Sequence, residues 1–228
     1  MVLGDTLAKG LVHRWVRDAA ADRDRILATQ SASTASTPRK ALKQILVAIK
    51  RIKSPWIIVP TKIIGKRKSA RATVGFLSPE GERFVAEYIH IDLERTFAVP
   101  MGGAVTHHAI QRIAQYYGTD DPKEVVERAV YGIANGIAAI NDGVIAEDHG
   151  VYDPDGGVWC FDLVHNEDDE PSYLLKTVIP ASALTDGGRK VRDYESMLQE
   201  GVRGMAFDQN GKRVDVPSYQ SPAPTQEE

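Results

Sequence analysis

The chain carries a single cysteine, Cys160, among its 228 residues. One thiol cannot close an internal disulfide, and it excludes any zinc site built from several cysteines. Long hydrophobic runs are missing too. No apolar stretch approaches the roughly 18 residues of a membrane span, because Lys, Pro or Gly interrupts each one. The opening residues, MVLGDTLAKG, lack a basic start followed by an apolar core, so no signal peptide is expected. Together these absences predict a cytoplasmic protein without a membrane partner. No segment repeats. The 43% hydrophobic content is enough to fill a core, in one sizeable domain with appendages or in two small ones.

The most informative absence is local. Between Arg39 and Arg71 there is no Asp or Glu, while eleven Lys or Arg residues fall in that segment. Of the chain's 28 basic residues, 17 remain elsewhere, beside all 31 acidic ones, so a stretch at +11 is attached to a remainder at -14. The formal net charge of -3 hides this split. Such segregation points to a face for a polyanion, or to internal complementarity between the segment and the acidic remainder. A solvated basic face without a partner is the plain alternative.

Hydrophobic spacing organises the rest. Leu3, Leu7, Leu11 and Trp15, with Val12 beside them, make a helical stripe within residues 1 to 28. SASTASTP, residues 31 to 38, reads as a linker. Leu42, Ile45, Leu46, Ile49 and Ile52 trace a second helix over 39 to 53, stopped by Ser54-Pro55. The pattern then turns to strands, from WIIVP at 56 to 60 through ARATVGFL and FVAEYIHIDLE, as an antiparallel meander of three or four. Helices follow over 105 to 117 and 121 to 140, with Thr106 as N-cap of the first and Pro122 in the first turn of the second. VWCFDLVH and YLLKTVIP form a hairpin across the acidic connection NEDDEPS, and residues 191 to 200 add a short helix. The expected class is α+β, a small antiparallel sheet with helices on one face and an N-terminal helical extension. The expected boundaries are 1–38 for helix and linker, 39–216 for the α+β domain, and 217–228 for a disordered tail.

The stretch AVTHHAIQRIAQYYG, residues 104 to 118, raises the question of chemistry. His108 and Arg112 are four residues apart and share a helix face, whereas His107 is rotated by about 100° beside Gln111. Adjacent histidines diverge, and no H-x-x-x-H spacing exists there, so no metal or cofactor is expected. A histidine that exchanges protons near neutral pH, beside a guanidinium that matches phosphate oxygens, suits phosphoryl chemistry. Metal-free RNA cleavage needs a base for the 2'-hydroxyl, a stabiliser for the phosphorane and an acid for the leaving oxygen. A solvated polar face explains the same pair without chemistry.

The order HAIQRIAQYYG, DDPKEVVERAV, an Asp/Gly-rich turn, a strand and YLLKTVIP resembles the small RNase toxin-like domains of the RelE/barnase/colicin superfamily. Those domains carry a helix of the type H-A-x-x-R, and the resemblance covers about residues 100 to 182. It implies helices packed on a small antiparallel sheet, metal-independent cleavage of RNA, and a possible protein inhibitor or other protein partner. His108, Arg112, Lys176 and Thr177 match its polar positions. Tyr116 stands where many such helices carry a further basic residue. The resemblance assigns His108 to acid–base work, Arg112 to the phosphorane, and Lys176 and Thr177 to the same phosphate.

The basic segment would then hold an RNA backbone, rather than DNA, through Lys50, Arg51, Lys66, Arg67, Lys68 and Arg71. Two readings from other classes stand beside this one. The first is a non-catalytic DNA- or RNA-binding regulator of phage or plasmid type. The second is an interaction or structural protein whose basic segment pairs with carboxylates such as Asp168 and Asp169. His90, His149, His165, Trp56 and Trp159 read as structural or loop residues, and Lys176 reads as solvent-facing.

Overall fold

Periodicity decides the first two helices. Helix α1, Asp5–Ala28, buries Ala8, Leu11, Val12, Trp15, Ala19, Asp22 and Ile26, spaced three or four apart so that one face is apolar. Leu7, expected in that stripe, is instead 57% exposed. The buried face is centred on Ala8, and the neighbouring residue points about 100° away. Helix α2, Pro38–Ile52, starts with Pro at its first turn, where a missing N–H costs nothing, and buries Ala41, Leu42, Ile45 and Ile49. It ends at Lys53, which takes a left-handed conformation with φ of 48°.

This structure, a computed structural model, describes residues 3–31, 37–66, 69–141, 150–152, 157–165, 171–184, 205–207 and 213–215. The tail from Pro217, the helix expected over 191 to 200, His149 and the acidic connection 166 to 170 lie outside those residues.

Four strands follow α2: β1 (Ile57–Ile64), β2 (Arg71–Glu80), β3 (Arg83–Ile91) and β4 (Thr96–Thr106). Helices α3 (His107–Tyr117) and α4 (Pro122–Asn141) lead to β5 (Gly150–Tyr152), β6 (Val158–His165) and β7 (Pro171–Ile179). The seven form one sheet in the order β1-β2-β3-β4-β7-β6-β5. Every neighbouring pair is antiparallel except β4 with β7. Two short strands, β8 (Met205–Phe207) and β9 (Arg213–Asp215), pair with each other. The chain is an α+β protein. Among the described residues, no helix is long and apolar enough to cross a membrane.

The helices divide between the two sides of the sheet rather than sharing one. On β3 the side of Val85, Glu87 and Ile89 faces α1, because the Arg23 Nε donates to Glu87 Oε1 at 3.1 Å and to Ser78 Oγ at 3.1 Å. Ser78 also donates to the same carboxylate. The opposite side faces α4, since a Cβ placed on Gly103 would run into Ile133, and one on Gly132 into the Trp159 ring. Helix α2 lies against β1, β2 and α1. One buried cluster links these layers, from Trp15, Ile26 and Ile49 through Phe76 and Ile89 to Ile110, Trp159 and Leu175. The N-terminal helix therefore supplies part of the core. Each such side chain, fully buried, contributes about 1.5–3 kcal/mol.

Gly132 tests that packing. In a helix interior Ala normally exceeds Gly by about 1 kcal/mol. Here the added methyl meets the ring of Trp159, which is only 1% exposed and has no room to swing. Gly132→Ala should therefore destabilise by about 1–3 kcal/mol. A thermal melt checks it, and an unchanged or raised midpoint would show that Trp159 gives way.

Candidate functional site

Thr106 sets the corner where α3 begins. Its Oγ1 accepts from the Ala109 N–H at 3.0 Å, as an N-cap should, and donates to the Lys176 carbonyl at 2.8 Å. The first turn of α3 is thus pinned to β7. His108 is exposed there, and Arg112, also exposed, donates to Gln115 Oε1 at 3.3 Å. Gln111 and Gln115 both donate to Asp5 of α1, at 2.7 and 3.2 Å. Two glutamines of α3 are therefore tied to α1, while His108 and Arg112 stay exposed.

Lys176 projects to the side away from Leu175, and its Nζ lies 2.9 Å from Asp162 Oδ2 on β6. Thr177 is half-buried opposite Cys160. The Cys160 thiol is held above its ordinary value by burial, against the pull of Lys176. Of the four residues that the resemblance groups, Lys176 is joined to α3 through its backbone, while its ammonium turns to a carboxylate.

His107, beside His108, behaves differently. It lies on the ring of Phe84, with centroids 5.2 Å apart, and Phe84 stacks on Trp56 at 5.1 Å. Its buried Nε2 has no hydrogen-bond partner among the described residues. Burial holds His107 below the usual histidine range; His13 adds to that and the Glu82 carboxylate opposes it.

The basic segment occupies one end of the fold. Arg39, Lys40, Lys43, Lys50 and Arg51 on α2, Lys53 at its cap, and Lys62 and Lys66 on the β1–β2 hairpin are all exposed. Among the described residues, no carboxylate lies within salt-bridge distance of any of them. A groove of about 720 Å³ lies between α2 and the hairpin, lined by Arg39, Lys43, Leu42, Ile63 and Ala70 among others. Arg67 and Lys68 at the hairpin tip, and Asp168 and Asp169, lie outside the described residues.

Arg71 leads to a second group that sequence reasoning missed. Directly opposed residues of an antiparallel pair share a side of the sheet, so Lys62, Thr73, His90 and Phe97 form one row across four strands. Val59, Gly75, Tyr88 and Val99 form the next. The guanidinium carbons of Arg71 and Arg95 lie 5.4 and 4.9 Å from the centroid of Phe97. His90 packs between Tyr88 and Phe97, at 6.1 and 5.0 Å, and its Nδ1 meets Thr73 Oγ1 at 2.9 Å. Burial, then Arg71, holds His90 below its usual range. Asp92, in the β3–β4 turn, is held low chiefly by the Arg95 backbone N–H. The signal available beforehand was the alternation of Tyr88 and His90 on β3, which pairs with Phe97 only through the register.

No protein-family model, curated protein or solved structure matches the chain.

His107 makes stability depend on pH. Unfolded histidine titrates near 6.5, whereas burial lowers the folded value. Between the two values the unfolded chain binds the extra proton, so stability falls as pH drops through about 6.5 and levels off below the folded value. His107→Phe removes this contribution. Its melting temperature should fall less than that of the unaltered chain between roughly pH 7.5 and 5.5. Equal falls would mean that burial does not hold His107 neutral.

Proposed function

We propose that the protein binds nucleic acid, RNA in preference to DNA, and holds the phosphate backbone on α2 and the β1–β2 hairpin. One observation carries this reading: eight exposed cations of a segment without acid have no carboxylate within reach among the described residues. Had internal complementarity governed the segment, these side chains would turn toward acidic neighbours. Instead they point to water from one helix and one hairpin joined by a groove. The preference for RNA rests on the pattern of α3.

Helix α2 also violates what stability alone would select. The positive end of a helix favours acidic residues, yet its first turn holds no acid and carries Arg39 and Lys40. A bound phosphate backbone supplies the missing negative charge.

Cleavage is a second reading, favoured by the Thr106 bond that sets the first turn of α3 on β7 beside Lys176. In it His108 moves the proton and Arg112 stabilises the phosphorane. RNA would then be cut in EDTA, leaving cyclic phosphate ends, and His108→Ala would slow the cut about a hundredfold or more. Intact RNA after prolonged incubation removes the catalytic step and leaves binding untouched.

Binding and stability should move in opposite directions on α2. Arg39→Glu with Lys40→Glu places acid at the helix N-terminus and should stabilise the fold by about 0.3–1 kcal/mol for each residue. The same change should weaken RNA binding tenfold or more, to the extent that each cation meets a phosphate. For the unaltered chain, affinity should drop on the order of a thousandfold from low to moderate salt. Gel-shift titrations and melts of the two proteins decide it. No binding at low salt to RNA or DNA would sink the proposal.

A further inference from the structure

The side of the sheet that carries Phe97 is built unlike the core. Where rings only fill space they are sealed, as Trp56 and Phe84 are, both at 0% exposure. Tyr88 and Phe97 are partly exposed, and Val99, in the row of Tyr88, is 41% exposed. Arg95 is exposed beside Phe97. An open β-surface of this composition carries a hydration and association cost unless something covers it.

We infer that this surface is a stacking platform for the unpaired bases of a single-stranded nucleic acid, with Tyr88 as one plane and Arg95 lying on Phe97 as the other. The inference rests on the proposed function and adds a second contact surface, on the other side of the sheet from Arg23 and Glu87. Base faces are hidden in a duplex and open in a single strand, where aromatic rings and guanidinium planes can stack on them. The Arg95 side chain is 74% exposed, so the plane that covers Phe97 is itself available to a base.

Charge complementarity fits the same occupant. Arg71 and Arg95 lie over the Phe97 ring, and the Arg71 Nε is a buried donor without a partner among the described residues. Asp92 is the nearby counter-charge, 3.8 Å from Arg95, and its carboxylate is already engaged by the backbone N–H groups of Glu94 and Arg95. The two guanidinium groups lie against the Phe97 ring itself, while Asp92 and Glu94 sit in the turn beside it. Stacking and charge together select an anionic polymer with planar faces.

The test uses the full chain with roughly twelve-nucleotide oligo-U and oligo-dT, a duplex of the same length, and heparin as a purely ionic probe. Tyr88→Leu removes one plane. Arg95→Lys keeps the charge and removes the other plane. Each should weaken binding of the single strands roughly 5- to 100-fold, and leave duplex and heparin binding within about twofold. An oligonucleotide carrying 5-iodouridine, irradiated with the unaltered chain, should crosslink at Tyr88 or Phe97, which needs no variant to fold. The oligo-U and oligo-dT arms show which sugar is preferred. Unchanged single-strand binding in both variants, or crosslinks only outside β3 and β4, overturns the platform while heparin binding keeps the proposed function standing. Failure of the unaltered chain to bind any of the four probes overturns both.

Discussion

The fold hangs on a short parallel joint. Strands β1 to β4 make one antiparallel meander and β5 to β7 a second local unit, and only the β4–β7 ladder makes them one sheet. Its register is Gly103 with Tyr173, Ala104 with Leu174, and Val105 with Leu175. Thr106 extends the joint by its hydroxyl bond to the Lys176 carbonyl. Such a joint is non-local, because the chain must complete α3, α4 and β5–β6 before β7 can arrive, and loop closure is entropically unfavourable until then. Two features offset that cost. Gly103 has no side chain and lets Ile133 of α4 come close, and Ala109, Ile110 and Ile113 of α3 are fully buried beside Val105 and Leu175.

This dependence explains what could be read in advance. Local signals were legible: the stripe of α2, the Thr106 cap, Pro122 at the start of α4, and Trp56 and Trp159 as core. Each rests on residues within a few positions of one another. The seven-strand order was not legible, because a parallel joint between β4 and β7 leaves no local pattern. The same holds for the division of helices between the two sides, which Arg23 on Glu87 and Ile133 on Gly103 settle only in three dimensions. Leu7 shows a local limit. A run of leucines every four residues drifts around a helix of 3.6 residues per turn, so the buried face passes to Ala8 and leaves Leu7 in water.

The candidate surfaces divide in the same way. Net charge sums over a segment, so the basic stretch was visible without any structure, and so was the exposed position of Lys176. What Lys176 does with its charge was not visible, because Asp162 sits on the neighbouring strand through a register that bulges beside it. The position of His107 beside Gln111 followed from helix geometry, but its packing on the Phe84 ring did not. Arg71, Tyr88, Arg95 and Phe97 come from three strands and the turn between two of them. They meet because antiparallel register aligns His90 with both Thr73 and Phe97. A sequence scan for chemistry finds residues close in number, and these are close only in register.

The two electrostatic facts of the molecule bear on each other. A helix with cations over much of its outer face and no acid in its first turn repels itself and sets Arg39 and Lys40 against its own dipole. It persists because Leu42, Ile45 and Ile49 are almost wholly buried, and the hydrophobic term for three such side chains exceeds surface repulsion screened by salt. Apolar anchoring thus lets the outer face be chosen without regard to stability. The Arg23–Glu87 pair shows the contrary rule, since a nearly buried carboxylate has to find its cation inside the fold. A ligand that binds the folded chain adds its binding free energy to folding. A polyanion on α2 would therefore relieve the conflict between these cations and the helix dipole, and do so without any rearrangement of the core beneath it.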